Sequence, residues 1–422
     1  MPESGTDMDQ DAFIGGADAF RGVLSALQTA QRIEADGPNA ERLRRGSREH
    51  LNYMFTLANP LQRLTERLPL YPAIARFVWM MSANNRLADI AFHEPRVKAF
   101  TDDALTVPGS SYGMRLRQPQ PGLDQVLGAI GRLTEQTDSR RAAVSIFHPV
   151  DAVRTSNDIP CAFGLFFHNR GGRLLTTVMM RSNNAFTLLP FNIFEFSLLA
   201  EVVAVEANLE LGPITYFAGS MHLYDDDADR AAEFLATPIA PPVLMDAMPV
   251  EAKPLAELTK LAQFEADLRH GSAAVNARTV EDWLDRADRE LHSYWAQLAY
   301  VLVAGVAAKV DRRTLALTSD RVKNGLKPFL PRLAATAAAD AANFGDLFER
   351  GALRPEVVPL HRTAVMQKFA TLAATHEKRI GLPIGAVQLL RAQGMVAERL
   401  AARGEADALT QEVFLKALED AR

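Results

Sequence analysis

Cys161 is the only cysteine in a chain of 422 residues. The segments around it hold residue types that could bind a nucleotide and attack it. Asp158-Ile159-Pro160-Cys161 is followed by Met180-Arg181-Ser182-Asn183-Asn184, then Pro190-Phe191-Asn192-Ile193, then Gly219-Ser220-Met221-His222-Leu223-Tyr224. A thiol attacks as its thiolate, and a nearby cation such as Arg181 favours that form. An arginine fork grips two phosphate oxygens and a serine hydroxyl a third, so Arg181-Ser182 or Arg140-Arg141 could hold a phosphate. The Asn192 amide offers a donor and an acceptor that suit a uracil edge, or it caps the helix starting there. His222 and Tyr224 are two apart on a strand and share one face, where they could hold a sugar hydroxyl. Each residue also has a structural alternative. A lone cysteine often fills a core, an arginine pair often lies on the surface, and a histidine can be a satisfied core residue. Residue type alone leaves these alternatives open.

A metal reading finds no support, because no second histidine or cysteine stands at ligand spacing. A single cysteine also excludes an internal disulfide and fits a reducing cytoplasm. Hydrophobic residues make up 48% and charged residues 23%, the balance of a folded soluble protein. A net charge of −5 argues against broad nucleic-acid binding. The start MPESGTDMDQD is acidic and lacks the pattern of a secretory signal. The longest apolar run, residues 298–309, is too short to span a bilayer. A cytoplasmic protein without membrane or nucleic-acid partners is expected.

The elements that must position the chemistry follow from periodicity. An acidic tail leads into a helix over 17–33. A basic knot, Arg42-Leu43-Arg44-Arg45-Gly46-Ser47-Arg48, is either a solvated loop or a phosphate-binding loop. A strand is expected over 51–57 and a helix over 70–81. Residues 95–121 read as loop, and 123–137 as an amphipathic helix. Strands follow over 142–147, 163–168 and 174–180, the last two joined by a turn at Arg170-Gly171-Gly172-Arg173. Residues 191–209 are apolar nearly all round and predict a buried helix, and 214–224 return as a strand. The proline-rich stretch at 238–242 marks a boundary, and residues from about 250 to 422 are rich in Ala and Leu with helical spacing almost throughout. Trp283, Leu284, Leu291, Trp295, Leu298 and Leu302 there make a packing stripe on one helix.

Taken in order, these segments resemble thymidylate synthase and the related pyrimidine nucleotide hydroxymethylases. The resemblance rests on Asp138-Ser139-Arg140-Arg141, Asp158-Ile159-Pro160-Cys161, 180–184, Leu189-Pro190-Phe191-Asn192-Ile193 and 219–224. Arg45-Gly46 with 51–60, 76–82 and Ser111-Tyr112-Gly113 fit upstream. It covers roughly 40–230 and implies an α+β fold, a mixed sheet with surrounding helices, followed by an all-α C-terminal domain. The expected divisions are 1–37 for the N-terminal tail and helix, 38–235 for the family domain and 236–422 for the helical domain.

The resemblance also implies roles. Cys161 would add to C6 of the pyrimidine. Arg181 would bind the 5′-phosphate and lower the thiol pKa, with Ser182 and Arg45 helping to hold the phosphate. Arg140 and Arg141 would reach the phosphate in the other subunit of a homodimer with shared sites. Asn192 would read uracil, where cytosine-specific relatives usually carry aspartate. His222 and Tyr224 would hold the 3′-hydroxyl, and Tyr112 would stand near C5 for proton removal. Three positions depart from the family. Arg76 replaces the catalytic glutamate, Asn184 the aspartate that holds the pterin, and Leu188 a small glycine. Ala162 stands after the nucleophile where histidine is common. The implied activity is transfer of a methyl or hydroxymethyl group to C5 of UMP or dUMP, with 5,10-methylenetetrahydrofolate as the donor. The departures motivate two alternatives: a folate-independent reaction using the same Cys161 addition, and a non-catalytic nucleotide-binding protein.

Overall fold

The computed structural model describes residues 11–34, 46–239, 243–276, 278–310, 372, 375–376 and 410–420. Arg45 and the rest of the basic knot before Gly46 lie outside them, as do the acidic first ten residues and most of the chain between 311 and 409. The strands are β1 (Asp11–Phe13), β2 (Gln31–Ile33), β3 (Ser47–Leu57), β4 (Ala143–Ser145), β5 (Ala162–Arg170), β6 (Arg173–Met180), β7 (Asn183–Asn184) and β8 (Glu210–Tyr224). The helices are α1 (Gly16–Gln28), α2 (Leu70–Met81), α3 (Leu87–His93), α4 (Tyr112–Arg117), α5 (Gln125–Glu135), α6 (Leu189–Glu206), α7 (Asp225–Ala236), α8 (Pro254–His270), α9 (Val280–Glu290), α10 (Ser293–Val310) and α11 (Gln411–Asp420).

All eight strands form one mixed sheet, ordered β1-β3-β8-β6-β5-β4, with β2 beside β3 and β7 beside β8. This is the expected α+β architecture. β5 and β6 form the predicted hairpin, and its Gly171-Gly172 turn has positive φ at both positions, +62° and +80°. That conformation matches the twist of the flanking strands and costs glycine little. β6 then lies parallel to β8, because α6 carries the chain back across the sheet. α6 is buried along nearly its whole length. It packs on β6 and β8, whose buried Leu174, Val178, Ile214 and Tyr216 lie in the same apolar cluster.

Several element boundaries differ from expectation. The N-terminal helix ends at Gln28, and residues 31–33 form β2, pairing Arg32 with Arg48. The loop over 95–121 contains α4, and α5 starts at Gln125 because Asp124 caps it, accepting from Val126 N at 2.9 Å and Leu127 N at 3.1 Å. The stripe from Trp283 to Leu302 lies on two helices. The chain turns extended at Leu291, and the His292 N–H donates to Glu257 Oε2 at 2.7 Å, so a carboxylate from α8 satisfies the break.

α8 and α10 pack on α2, and α8 also touches α6. One continuous apolar cluster runs from Ala19 on α1 to Ala307 on α10.

Candidate functional site

Cys161 sits immediately before β5, partly buried. The Arg181 N–H donates to the Cys161 carbonyl at 2.6 Å, which places Arg181 beside the cysteine at the matching end of β6. The Arg181 Nε also donates to the Pro160 carbonyl at 3.3 Å. Burial pushes the Cys161 thiol up. The Arg181 charge pulls it back down, and Asp158 adds to the upward push.

Tyr112 comes to the same place from the other side. Its hydroxyl accepts from the Ala162 N–H at 3.4 Å, one residue past the cysteine. Two features hold it. Its ring stacks on Phe196 of α6, centroids 6.0 Å apart, and Gly113 lies so close to the Met80 carbonyl that a Cβ would stand 1.8 Å from the oxygen. Any side chain at 113 would push α4 off α2. The turn before Tyr112 is tied down by Asp158. That carboxylate accepts from Gly109 N at 2.7 Å, Ser110 N at 2.6 Å and Ser110 Oγ at 2.5 Å. Asp158 therefore couples the loop carrying Tyr112 to the strand end carrying Cys161.

A second group continues along the same chain segment. Ser182 Oγ lies 3.5 Å and Ser220 Oγ 3.4 Å from His222 Nδ1. The His222 ring meets the Tyr224 ring edge-on, with centroids 4.8 Å apart. Burial lowers the His222 pKa against the opposing pull of Glu49, so the ring is held neutral. β7 pairs with β8 through Asn183↔Met221 and Asn184↔His222. Asn192 is 4% exposed, and its Nδ2 donates to Asn183 Oδ1 at 3.0 Å. It does not cap α6, which begins at Leu189 with Leu188 in the cap position.

The altered positions have definite partners. Asn184 Oδ1 accepts from Phe186 N and Thr187 N, both at 3.0 Å, closing a local turn. Leu188 continues that turn, its N–H donating to the Asn184 carbonyl at 3.1 Å. Arg76 on α2 donates from Nε to Glu195 Oε1 on α6 at 2.6 Å, and its guanidinium carbon lies 5.0 Å from the Phe191 ring centroid. Periodicity does not mark Glu195, because α6 is apolar nearly all round. The signal was present: a charge in an otherwise apolar helix must find a partner when buried. Burial opposes the Arg76 charge, and Glu195 more than offsets that, keeping the pKa above its usual value.

Arg140 and Arg141 stand apart from this cluster. Both are exposed, on the segment joining α5 to the edge strand β4. Among the described residues they share no side-chain hydrogen bond with Cys161, Arg181 or Ser182. Gly46, next to Arg45, accepts from Asp225 N at 2.9 Å, which brings the start of β3 beside the end of β8.

The thymidylate synthase family profile matches residues 31–265. The chain belongs to the thymidylate synthase family. A Methanosarcina acetivorans protein provisionally named thymidylate synthase is 31% identical over 193 residues, 44% of this chain and 78% of its own. One from Methanothermobacter marburgensis with the same provisional name is 32% identical over 217 residues, 50% of this chain and 92% of its own. Membership makes the chain a transferase-type enzyme. Among the described residues no group of three or more His, Cys, Asp or Glu could hold a metal ion. None of the described helices is long and apolar enough to cross a membrane.

Proposed function

We propose that this thymidylate synthase relative activates C5 of a uracil nucleotide, UMP or dUMP, by adding the Cys161 sulfur to C6, and that a one-carbon unit is then transferred to C5. The observation that carries this reading is that Arg181 and Tyr112, from two other chain segments, are bonded to the backbone at Cys161 and Ala162 and lie within electrostatic range of the thiol. The sulfur enters as thiolate. As the S–C6 bond forms, the C5=C6 electron pair makes C5 an enolate-like carbon able to attack an electrophile. Loss of the C5 hydrogen and cleavage of S–C6 then restore the ring. Tyr112, kept a neutral phenol by burial, holds the water that takes the C5 proton, Arg181 and Ser182 hold the 5′-phosphate with Arg45, and His222 and Tyr224 hold the sugar. Asn192 spends one N–H on Asn183, which leaves an N–H for O4 and an acceptor for N3–H.

A homodimer with shared sites fits the same reading. The sheet face opposite α6 carries Phe166 and Leu175, 41% and 37% exposed, and through the strand register Met179, Phe217 and Met54 share that face. A second copy packed there would bring its Arg140 and Arg141 to the phosphate.

The positions that the resemblance assigns to methylenetetrahydrofolate do not offer what a pterin needs. Its N–H donors call for a free carboxylate, whereas the Asn184 carbonyl is spent on two backbone N–H groups. A second reading follows from that observation: the same Cys161 addition, used without folate for another reaction on the pyrimidine. Release of tritium from C5-labelled UMP and dUMP tests both. Release that stops in Cys161→Ala is expected with at least one nucleotide. Dependence on methylenetetrahydrofolate supports one-carbon transfer from folate, and independence supports the second reading. Equal release from the Cys161→Ala variant would overturn the proposal.

A further inference from the structure

We propose that Arg76 is a catalytic residue of this chain: its guanidinium, braced by Glu195, takes the negative charge that builds on the pyrimidine O4 when the Cys161 sulfur adds to C6. This rests on the covalent addition argued above and specifies how the chain stabilises its product. The addition is balanced within the ring. The thiol proton has already gone to water, S–C6 forms, the C5=C6 pair moves to C4–C5, and the C4=O pair settles on O4. C5 then takes a proton from water and gives up its original hydrogen to a second water that the Tyr112 hydroxyl holds, and S–C6 breaks as the electrons return. The charge on O4 is the costly feature of this path, because a neutral carbonyl oxygen becomes an oxyanion.

The placement of Arg76 suits that charge. Its Nε is fixed on Glu195 Oε1 at 2.6 Å, and its side chain retains 15% of its surface exposed while Glu195 retains 2%. Among the described residues neither Nη group has a hydrogen-bond partner. The pair lies one helical turn from the residue proposed to read the base, because Asn192 and Glu195 are three apart on α6 and share a face. The guanidinium rests on Phe191, the neighbour of Asn192. It also lies within electrostatic range of the Tyr112 hydroxyl, which in turn feels the Cys161 sulfur. The other nearby carboxylate, Glu94, is held by Arg96 through bonds of 2.7 and 2.9 Å. A preorganised cation of this kind stabilises an oxyanion without protonating it.

A purely structural ion pair is the competing account, and one experiment separates the two. Replacing a buried pair with apolar side chains of similar volume is commonly neutral for folding. The double variant Arg76→Met/Glu195→Met should therefore melt within a few degrees of the wild type and bind the nucleotide with affinity within severalfold by calorimetry. Its tritium release from the C5-labelled nucleotide should fall on the order of 10²-fold or more. Arg76→Lys keeps the ion pair and the fold, and losing the Nη donors should still slow release at least tenfold. Wild-type release from either folded variant overturns the role of Arg76. Absence of release from the wild type with UMP and dUMP, with or without folate, overturns the underlying C5 reading instead.

Discussion

At the residue scale, the site depends on a few hydrogen bonds that leave the right atoms free. Asn192 is the clearest case. Its amide keeps one donor and one acceptor after bonding Asn183, while the Asn183 Nδ2 is buried without a partner among the described residues. Asn192→Asp presents acceptors alone, and Asn183 can rotate its amide to donate to the new carboxylate. The base edge then suits the exocyclic amine of cytosine. C5 tritium release measured on paired uracil and cytosine nucleotides should show the preference moving toward cytosine by about 5–150-fold, the range of a hydrogen-bond mismatch of roughly 1–3 kcal/mol. Unchanged preference would show that Asn192 does not read the base. The role proposed for Asn192 rests on its place in Pro190-Phe191-Asn192-Ile193. Its partner is not legible there, since Asn183 and Asn192 meet only once the first turn of α6 folds back against β7.

At the element scale, α6 joins the core to the site, and its polar residues show where periodicity falls short. The apolar pattern correctly predicts a central buried helix. It does not show that Glu195 and Glu201 lie inside it, because burial of a charge depends on partners distant in sequence. Glu195 is paired from α2. Glu201 is paired from the segment before α2: Arg63, fully buried, donates to Glu201 Oε2 at 2.6 Å and to the Pro60 carbonyl at 3.1 Å. Glu201 Oε1 also accepts from the Met248 N–H at 2.7 Å, which ties the chain beyond α7 to the same helix. Glu201→Ala removes one partner of a buried pair and leaves the Arg63 charge uncompensated. A loss of about 3–5 kcal/mol in urea unfolding is expected. A loss below about 1 kcal/mol would mean that water reaches Arg63 and the clamp contributes little. The two-helix break at Leu291 was equally invisible in the stripe from Trp283 to Leu302, because the carboxylate that satisfies it comes from Glu257, more than thirty residues earlier.

At the scale of the whole molecule, a buried polar chain fastens α8 to α2 and α3. Tyr71 on α2 shares a hydrogen bond of 2.6 Å with His93 Nδ1, and His93 Nε2 meets Glu265 Oε1 of α8 at 2.5 Å. Glu265 is also held by Arg269, which reaches back to Asp89 of α3 at 2.8 Å. Burial lowers the His93 pKa, against the pull of Glu265, so folding prefers the neutral ring. The unfolded chain then binds more protons than the folded one just below the ordinary histidine pKa of about 6.5. This contribution is present above that pH and is lost as the pH falls toward the folded value. Glu265 works in the same direction at lower pH: burial raises its pKa, but His93 and Arg269 outweigh burial and hold it below the usual carboxylate value. The melting temperature should therefore drop between pH 7.5 and 5.5, and His93→Asn should flatten that drop. An equally steep pH dependence in His93→Asn would assign it to other groups. No periodicity in the sequence marks this joint, since its members come from three helices.

The central claim is the covalent addition of Cys161, and the most direct test is intact mass with peptide mapping. The protein is incubated with 5-fluoro-dUMP or 5-fluoro-UMP, with and without methylenetetrahydrofolate, and quenched in acid. A mass increase of one nucleotide, alone or with the folate, mapped to the peptide containing Cys161 is the expected result. No addition at Cys161 under any of these conditions would contradict it.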